Sequence, residues 1–113
     1  MKYDQLATAK SLEKTIKSLN DNGFQAISVN TKAEALEKIK TLIPAGVSVM
    51  NGSSLTLGEI GFVDYLKSGK HNWKNLHKGI LDETDPNKQA ELRKYSVVSD
   101  YYLGSVHAVS ETG

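Results

Sequence analysis

The feature that most constrains this chain is Val47-Ser48-Val49-Met50, a run apolar enough to lie inside a sheet and set between two stretches of helical periodicity. Upstream, Leu36, Ile39 and Ile43 recur at helical spacing behind Thr31-Lys32-Ala33-Glu34. That spacing is a capping box: the Thr hydroxyl takes the third helical amide proton while the Glu carboxylate reaches back to the Thr amide. Pro44 and Gly46 then stop the helix. Downstream, Asn51-Gly52-Ser53-Ser54 leads through Leu55 to Thr56-Leu57-Gly58-Glu59, a second capping-box spacing. It predicts a helix with Ile60, Val63 and Leu66 on its face and Gly69 at its end. An apolar strand between helices, joined by short connections, predicts an α/β fold: a mainly parallel sheet with flanking helices.

The remaining segments extend the same pattern. Leu6, Ala9, Leu12, Ile16 and Leu19 mark a helix between Asp4 and Asn22, with Gly23 as its C-terminal cap. Residues 24–29 alternate and carry Ile27 and Val29, which predicts a short strand ended by Asn30. Between Lys70 and Thr84 the apolar residues Trp73, Leu76, Ile80 and Leu81 follow neither period, so a loop with one short strand is expected. Asp85-Pro86 places an N-cap before a proline at the first helical position, which predicts a helix from Pro86 to about Val98. Residues 101–105 read as a strand, and Ala108-Val109 as a further strand or turn. Neither a repeat nor a linker interrupts residues 1–113, so a single domain is expected.

Composition narrows the chemistry. At 113 residues with 39% apolar content, the chain buries a core without disulfides or a structural metal. With no cysteine it has no thiolate zinc site, no iron–sulfur cluster ligated by this chain, no redox dithiol and no cysteine nucleophile. Fourteen basic and thirteen acidic residues are spread along the sequence, leaving no footprint for nucleic acid or an anionic membrane. A stretch of about 20 apolar residues is also lacking, so the cytoplasm is the default location.

The Asn51-Gly52-Ser53-Ser54 turn is the candidate site. A strand that passes through such a turn into a capped helix brings amides and the hydroxyls of Ser53, Ser54 and Thr56 to the carboxyl end of its strand. The chemistry suits a small anion, phosphate or carboxylate. The competing reading is a tight turn satisfied by its own small residues. The pattern is neither a Walker loop nor a complete dinucleotide fingerprint, so the cofactor stays unknown. Glu59, three residues after Thr56, reads first as the capping-box carboxylate and second as an acid or base. His71, His77 and His107 lack metal-ligand spacing and read as solvated or hydrogen-bonded histidines, with no metal site. Trp73, Tyr101 and Tyr102 read as core or interface residues. The break at Gly104-Ser105 could bring His107 and Glu111 towards the same sheet end as the turn. A Ser53, His107 and Glu111 triad lacks a nucleophile elbow and is a chance combination.

Three runs carry a resemblance: Ile43-Pro44 through Val49, Gly52-Ser53-Ser54-Leu55-Thr56-Leu57-Gly58-Glu59-Ile60-Gly61, and Asp100 through Gly113. Together they resemble the LUD (lactate-utilisation) domain family, whose members show a run close to Gly-Ser-x-Thr-Leu-x-Glu-Ile-Gly and later Asn-Ala-Ile-Thr-x-x-Gly. The resemblance implies a fold of the sugar-phosphate isomerase and coenzyme A transferase type. It also implies a role in bacterial oxidation of lactate to pyruvate beside iron–sulfur partner proteins. His107 stands where the family usually has Asn, and family members continue past Gly113 through further strands and a Gly-Asn-Arg segment. The chain therefore resembles the front part of a longer domain, and apolar edges left by such a cut favour self-association into a homo-oligomer.

The leading expectation is a small-anion-binding or accessory subunit of lactate utilisation, with Asn51, Gly52, Ser53, Ser54, Thr56 and His107 as ligand-binding residues. One alternative is a group-transfer or isomerase enzyme on a phosphorylated or acyl substrate, with Glu59 or Glu111 as acid or base. The other is a non-catalytic assembly module.

Overall fold

Four residues, Ser48–Asn51, form the central strand of a three-stranded, all-parallel sheet. A computed structural model describes residues 5–113. In chain order its elements are α1 (Ala9–Asp21), α2 (Lys32–Leu42), β1 (Ser48–Asn51), α3 (Leu55–Glu59), α4 (Phe62–Ser68), β2 (Lys74–Asn75), α5 (Leu76–Asp82), α6 (Pro86–Ser96) and β3 (Tyr101–Leu103). The strand order is β2-β1-β3. Val49 lies opposite Asn75 on one side and Tyr101 on the other, and Asn51 lies opposite Leu103. The expected α/β architecture with a parallel sheet is therefore present. Among the described residues no helix is long and apolar enough to cross a membrane.

The chain divides into two compact units, residues 30–105 and residues 5–29 with 106–113. In the first unit, burial alternates along β1: Val49 and Asn51 are buried, Ser48 and Met50 half-buried. Val49 and Phe62 are fully buried and pack with Ile43, Leu57 and Leu66, while Leu36, Ile39, Ile60, Trp73 and Leu103 close the edges. Trp73 is a core residue, as its sequence reading held. Its indole Nε1 donates to the Ile43 carbonyl at 3.2 Å, and its ring lies 6.1 Å from Phe62 and 5.7 Å edge-on to Tyr65. Ile80 is 2% exposed, and Gln89 Nε2 of α6 donates to its carbonyl at 2.9 Å.

Several helix ends follow the sequence. Thr31 Oγ1 accepts the Glu34 amide at 3.1 Å, while the Glu34 carboxylate accepts the amide of Asn30, one residue before the cap. Asp85 caps α6 through the Asn87 amide at 2.9 Å, with Pro86 in the first turn. Other boundaries differ. The helix expected from Thr56 to Gly69 is two helices, because Gly61 adopts φ 88°, a left-handed conformation that ends α3 and starts α4. The segment after Lys70, expected as a loop with one short strand, contains that strand as β2 and, in place of loop, the helix α5.

In the second unit, α1 begins at Thr8, whose hydroxyl accepts the Ser11 amide at 3.1 Å; the expected start at Asp4 lies outside the described residues. Its end is a Schellman turn, with the Phe24 amide on the Leu19 carbonyl at 3.0 Å and Gly23 at φ 91°. Residues 24–29 are extended but pair with no strand, so the strand expected there is absent. Residues 108–109 likewise form no strand. The C-terminal segment is tied to α1: Ser11 Oγ donates to Glu111 at 2.6 Å, Lys14 pairs with Glu111 at 3.3 Å, and Asn22 Nδ2 donates to the Thr112 carbonyl at 3.2 Å.

A single carboxylate joins the starts of β1 and β3. Asp100 Oδ2 accepts the Ser48 amide at 2.9 Å and the Ser48 hydroxyl at 3.1 Å. The Ser48 amide first, and its hydroxyl second, hold the Asp100 carboxyl below its ordinary value. A depressed carboxylate stabilises the fold above its unfolded pKa, and that contribution is lost as pH falls through the folded one. Urea unfolding midpoints are therefore expected to drop as pH falls below the usual carboxylate range. Asp100→Asn lowers the neutral-pH midpoint and flattens part of that acid dependence; an unchanged profile would remove this role. Phe62→Ala, which empties a fully buried site, costs about 3–5 kcal/mol of unfolding free energy in the same titration.

Candidate binding site at the carboxyl end of the sheet

The turn after β1 is built from the strand outward. Gly52 donates its amide to the Leu103 carbonyl at 3.0 Å, which extends the β1–β3 pairing by one bond past Asn51. A Cβ on Gly52 would stand 2.7 Å from the Tyr102 hydroxyl, so glycine here permits close approach of that side chain. Tyr102 is 63% exposed, and its ring covers this turn rather than filling the core. Ser54 caps α3: its Oγ accepts the Leu57 amide at 3.2 Å and donates to Ser105 Oγ at 3.0 Å.

This corrects the sequence reading of the cap. Thr56 and Glu59 have capping-box spacing, but the chain turns into helix directly after the strand, so the first free amides fall to Ser54. Thr56 lies inside α3 and Glu59 is its exposed last residue. Because α3 is only five residues long, it supplies little of the dipole that a longer helix would direct at an anion. Ser53 and Thr56 are exposed, while the Ser54 hydroxyl is spent on the turn itself. Gly104-Ser105 does lie beside the turn. His107 and Glu111 belong to the other unit, where Glu111 is held below its ordinary value, first by the Ser11 hydroxyl and then by Lys14.

The concave feature of this sheet end lies beside the turn. A cleft of about 410 Å³ includes Asn51 at the end of β1 and Asn75 at the end of β2. Its apolar wall is Val63, Leu66 and Leu81. Lys67 from α4 and His77 and Lys78 from α5 complete it, with Asp82 paired to Lys78. The location is the one that open α/β sheets use for ligands, outside the carboxyl ends of parallel strands. The volume falls within the range of small-molecule sites.

Two residues of this cleft each carry an inaccessible polar atom. Asn51 Oδ1 and His77 Nδ1 are buried and have no hydrogen-bond partner among the described residues. Asn51 is 7% exposed, on the same face of β1 as fully buried Val49. A buried acceptor without a partner costs about 1–3 kcal/mol, which makes such an atom a signature of a site that something else satisfies. Asn75 differs, since its Oδ1 caps α5 by accepting the Lys78 amide at 3.2 Å. Among the described residues Lys67 forms no ion pair, and no group of three or more potential metal ligands occurs.

Of the six expected ligand-binding residues, the structure puts Asn51 in this cleft, and Gly52, Ser53, Ser54 and Thr56 in the adjoining turn and helix. His71 matches its reading as a hydrogen-bonded histidine, with Nδ1 accepting the Trp73 amide at 3.1 Å. His77 is half-buried, and with Lys67 it is a cleft residue that the sequence reading did not single out. The available signal was that Lys67 follows Val63 and Leu66 on the same helix, so its stem shares their face.

The sequence model of the LUD domain family matches residues 12–113. No curated protein and no solved structure gives a match. The cap assignment yields a direct test. Ser54→Ala is expected to cost about 1 kcal/mol in chemical denaturation, as loss of an N-cap does, whereas Thr56→Ala stays within about 0.5 kcal/mol of the parent. The reverse order would restore the Thr56 capping box.

Proposed function

Because the chain belongs to the LUD domain family, we propose that its parallel-sheet unit binds a small carboxylate of the lactate class and serves lactate utilisation as a ligand-binding, accessory subunit. The observation that carries this reading is the buried, unpartnered amide oxygen of Asn51 in a cleft with Lys67 at its edge. A 2-hydroxy acid supplies both complements: its carboxylate faces the Lys67 ammonium, and its hydroxyl donates to Asn51 Oδ1 once that side chain turns towards the cleft. The apolar wall of Val63, Leu66 and Leu81 suits a methyl group. Oxidation of lactate to pyruvate removes two electrons and two protons. These 113 residues contain no cysteine and ligate no iron–sulfur cluster through thiolates; in this reading a partner protein of the iron–sulfur class takes up the two electrons, and the two protons pass to solvent. This assigns the chain binding and orientation rather than the redox step.

Thermal unfolding with and without lactate tests the reading, since a ligand that binds only the native state raises the transition. Lactate is expected to raise it more than propionate, which has the carboxylate but no hydroxyl. Asn51→Leu replaces the unsatisfied amide with an apolar group of similar size. It is expected to raise the unliganded stability by about 1 kcal/mol or more while abolishing the lactate shift. Lys67→Met weakens lactate about fivefold or less, because the ammonium is exposed to solvent. Equal shifts with lactate and propionate, or an Asn51→Leu protein that still binds lactate, would rule the hydroxy-acid site out.

A further inference from the structure

We propose that Asn22-Gly23 is a modification site, where the asparagine side chain deamidates without an enzyme, and that the product releases Thr112 and Gly113 from α1. Seven asparagines occur in the chain, and glycine follows two of them, at Asn22-Gly23 and Asn51-Gly52. Glycine matters because the reaction is an attack by the next residue's backbone nitrogen, which a Cβ would shield. The Gly23 nitrogen gives up its proton and bonds to Asn22 Cγ, and the side-chain nitrogen leaves with that proton as ammonia. A five-membered imide remains. Water then opens it at either carbonyl, giving aspartate or isoaspartate, so that one water is consumed, one ammonia is lost and nothing is oxidised or reduced.

The two pairs differ in what must move. Attack requires rotation about the asparagine backbone until its carboxamide carbon meets the next nitrogen. At Asn51 that rotation breaks the sheet: Asn51 is 7% exposed in β1, and the Gly52 amide donates to the Leu103 carbonyl at 3.0 Å. Asn22 and Gly23 are both exposed, in the turn that ends α1. There the Gly23 amide donates to the Asn20 carbonyl at 3.2 Å, and a Cβ on Gly23 would meet nothing within 4 Å. Helix ends fray, so local opening suffices at Asn22, whereas Asn51 waits for the sheet to open. The product changes what this turn holds. Asn22 Nδ2 donates to the Thr112 carbonyl at 3.2 Å, and a Cβ on Gly113 would stand 2.9 Å from both that nitrogen and the Ser18 carbonyl carbon. A carboxylate has no proton to donate, so two acceptors then face each other. Its charge also opposes the dipole at the C-terminal end of α1, and isoaspartate adds a methylene to the main chain within the Schellman turn. Glu111 keeps Ser11 and Lys14, which confines the release to the two residues after it.

Peptide mass spectrometry of the full chain, incubated folded at mildly alkaline pH, tests this. Asn22 is expected to gain the one-dalton mass of deamidation at least about 10-fold faster than Asn51, and the two rates converge in urea, where neither pair is held. Equal rates in the folded chain, or a faster Asn51, overturn the assignment. Asn22→Gln keeps the amide donor but closes the corresponding larger ring slowly, so only the slow reaction at Asn51 is expected to remain; a fast gain surviving in this variant overturns the assignment too. Asn22→Asp supplies the product directly. In its NMR spectra the nuclear Overhauser contacts between Ser18 and Gly113 are expected to vanish while those between Ser11 and Glu111 persist. Contacts between Ser18 and Gly113 that survive in Asn22→Asp overturn the release, and loss of both sets overturns it as well, since that outcome is unfolding of the whole unit.

Discussion

Parallel pairing of β1 with both neighbours is the constraint from which the rest of the structure follows. Parallel strands need a crossover between them, and here α3 and α4 connect β1 to β2 while α5 and α6 connect β2 to β3. The same pairing brings all three carboxyl ends to one rim. Asn51, Asn75 and Leu103 therefore finish at that rim although they are distant in sequence, and the helix starting directly after Asn75 carries His77 there. An antiparallel β2 would have delivered Lys74 and Trp73 to the rim instead.

Along β1 the pleat makes Val49 and Asn51 neighbours on one face. Val49 is the centre of the core, and the simplest continuation of its face is another apolar side chain. The chain instead places an amide where its oxygen is out of reach of water and of any described partner. A strand position that departs from its own hydrophobic pattern, at an energetic cost, is where sequence and fold conflict, and such conflicts concentrate at functional sites. Ser48, one residue before Val49 and so on the other side of the pleat, shows the contrast: its amide and hydroxyl are both taken up by Asp100.

What was legible in the sequence was local. The caps at Thr31 and Asp85, the Gly23 turn and the apolar β1 depend on residues within a few positions of one another, and all are present. Elements defined by distant partners were legible only in part: β3 was read from Tyr101 onward, but the position of β2 was not. β2 is two residues long and polar, a strand only because β1 lies beside it. Residues 24–29 have better strand periodicity and are unpaired, because alternation supplies a face but not a neighbour. The cap moved from Thr56 to Ser54 because the strand ends at Asn51 and the turn is short, and Gly61 divided a helix whose apolar spacing runs on without a break. The site divides in the same way. Asn51 and the Gly52 turn follow from their place at a strand end, whereas His77 enters only through the β1–β2 pairing that carries α5 to the rim.

Charge contributes little at this rim. Among the described residues one unpaired ammonium, Lys67, borders the cleft, while Lys78 and Asp82 neutralise one another across a turn of α5. An exposed ammonium contributes on the order of 1 kcal/mol or less and is screened by salt. The two buried polar atoms each cost about 1–3 kcal/mol when unpaired, more than the exposed ammonium contributes. On the proposed reading, anions in general are held weakly here, and the buried amide of Asn51 decides which of them is retained.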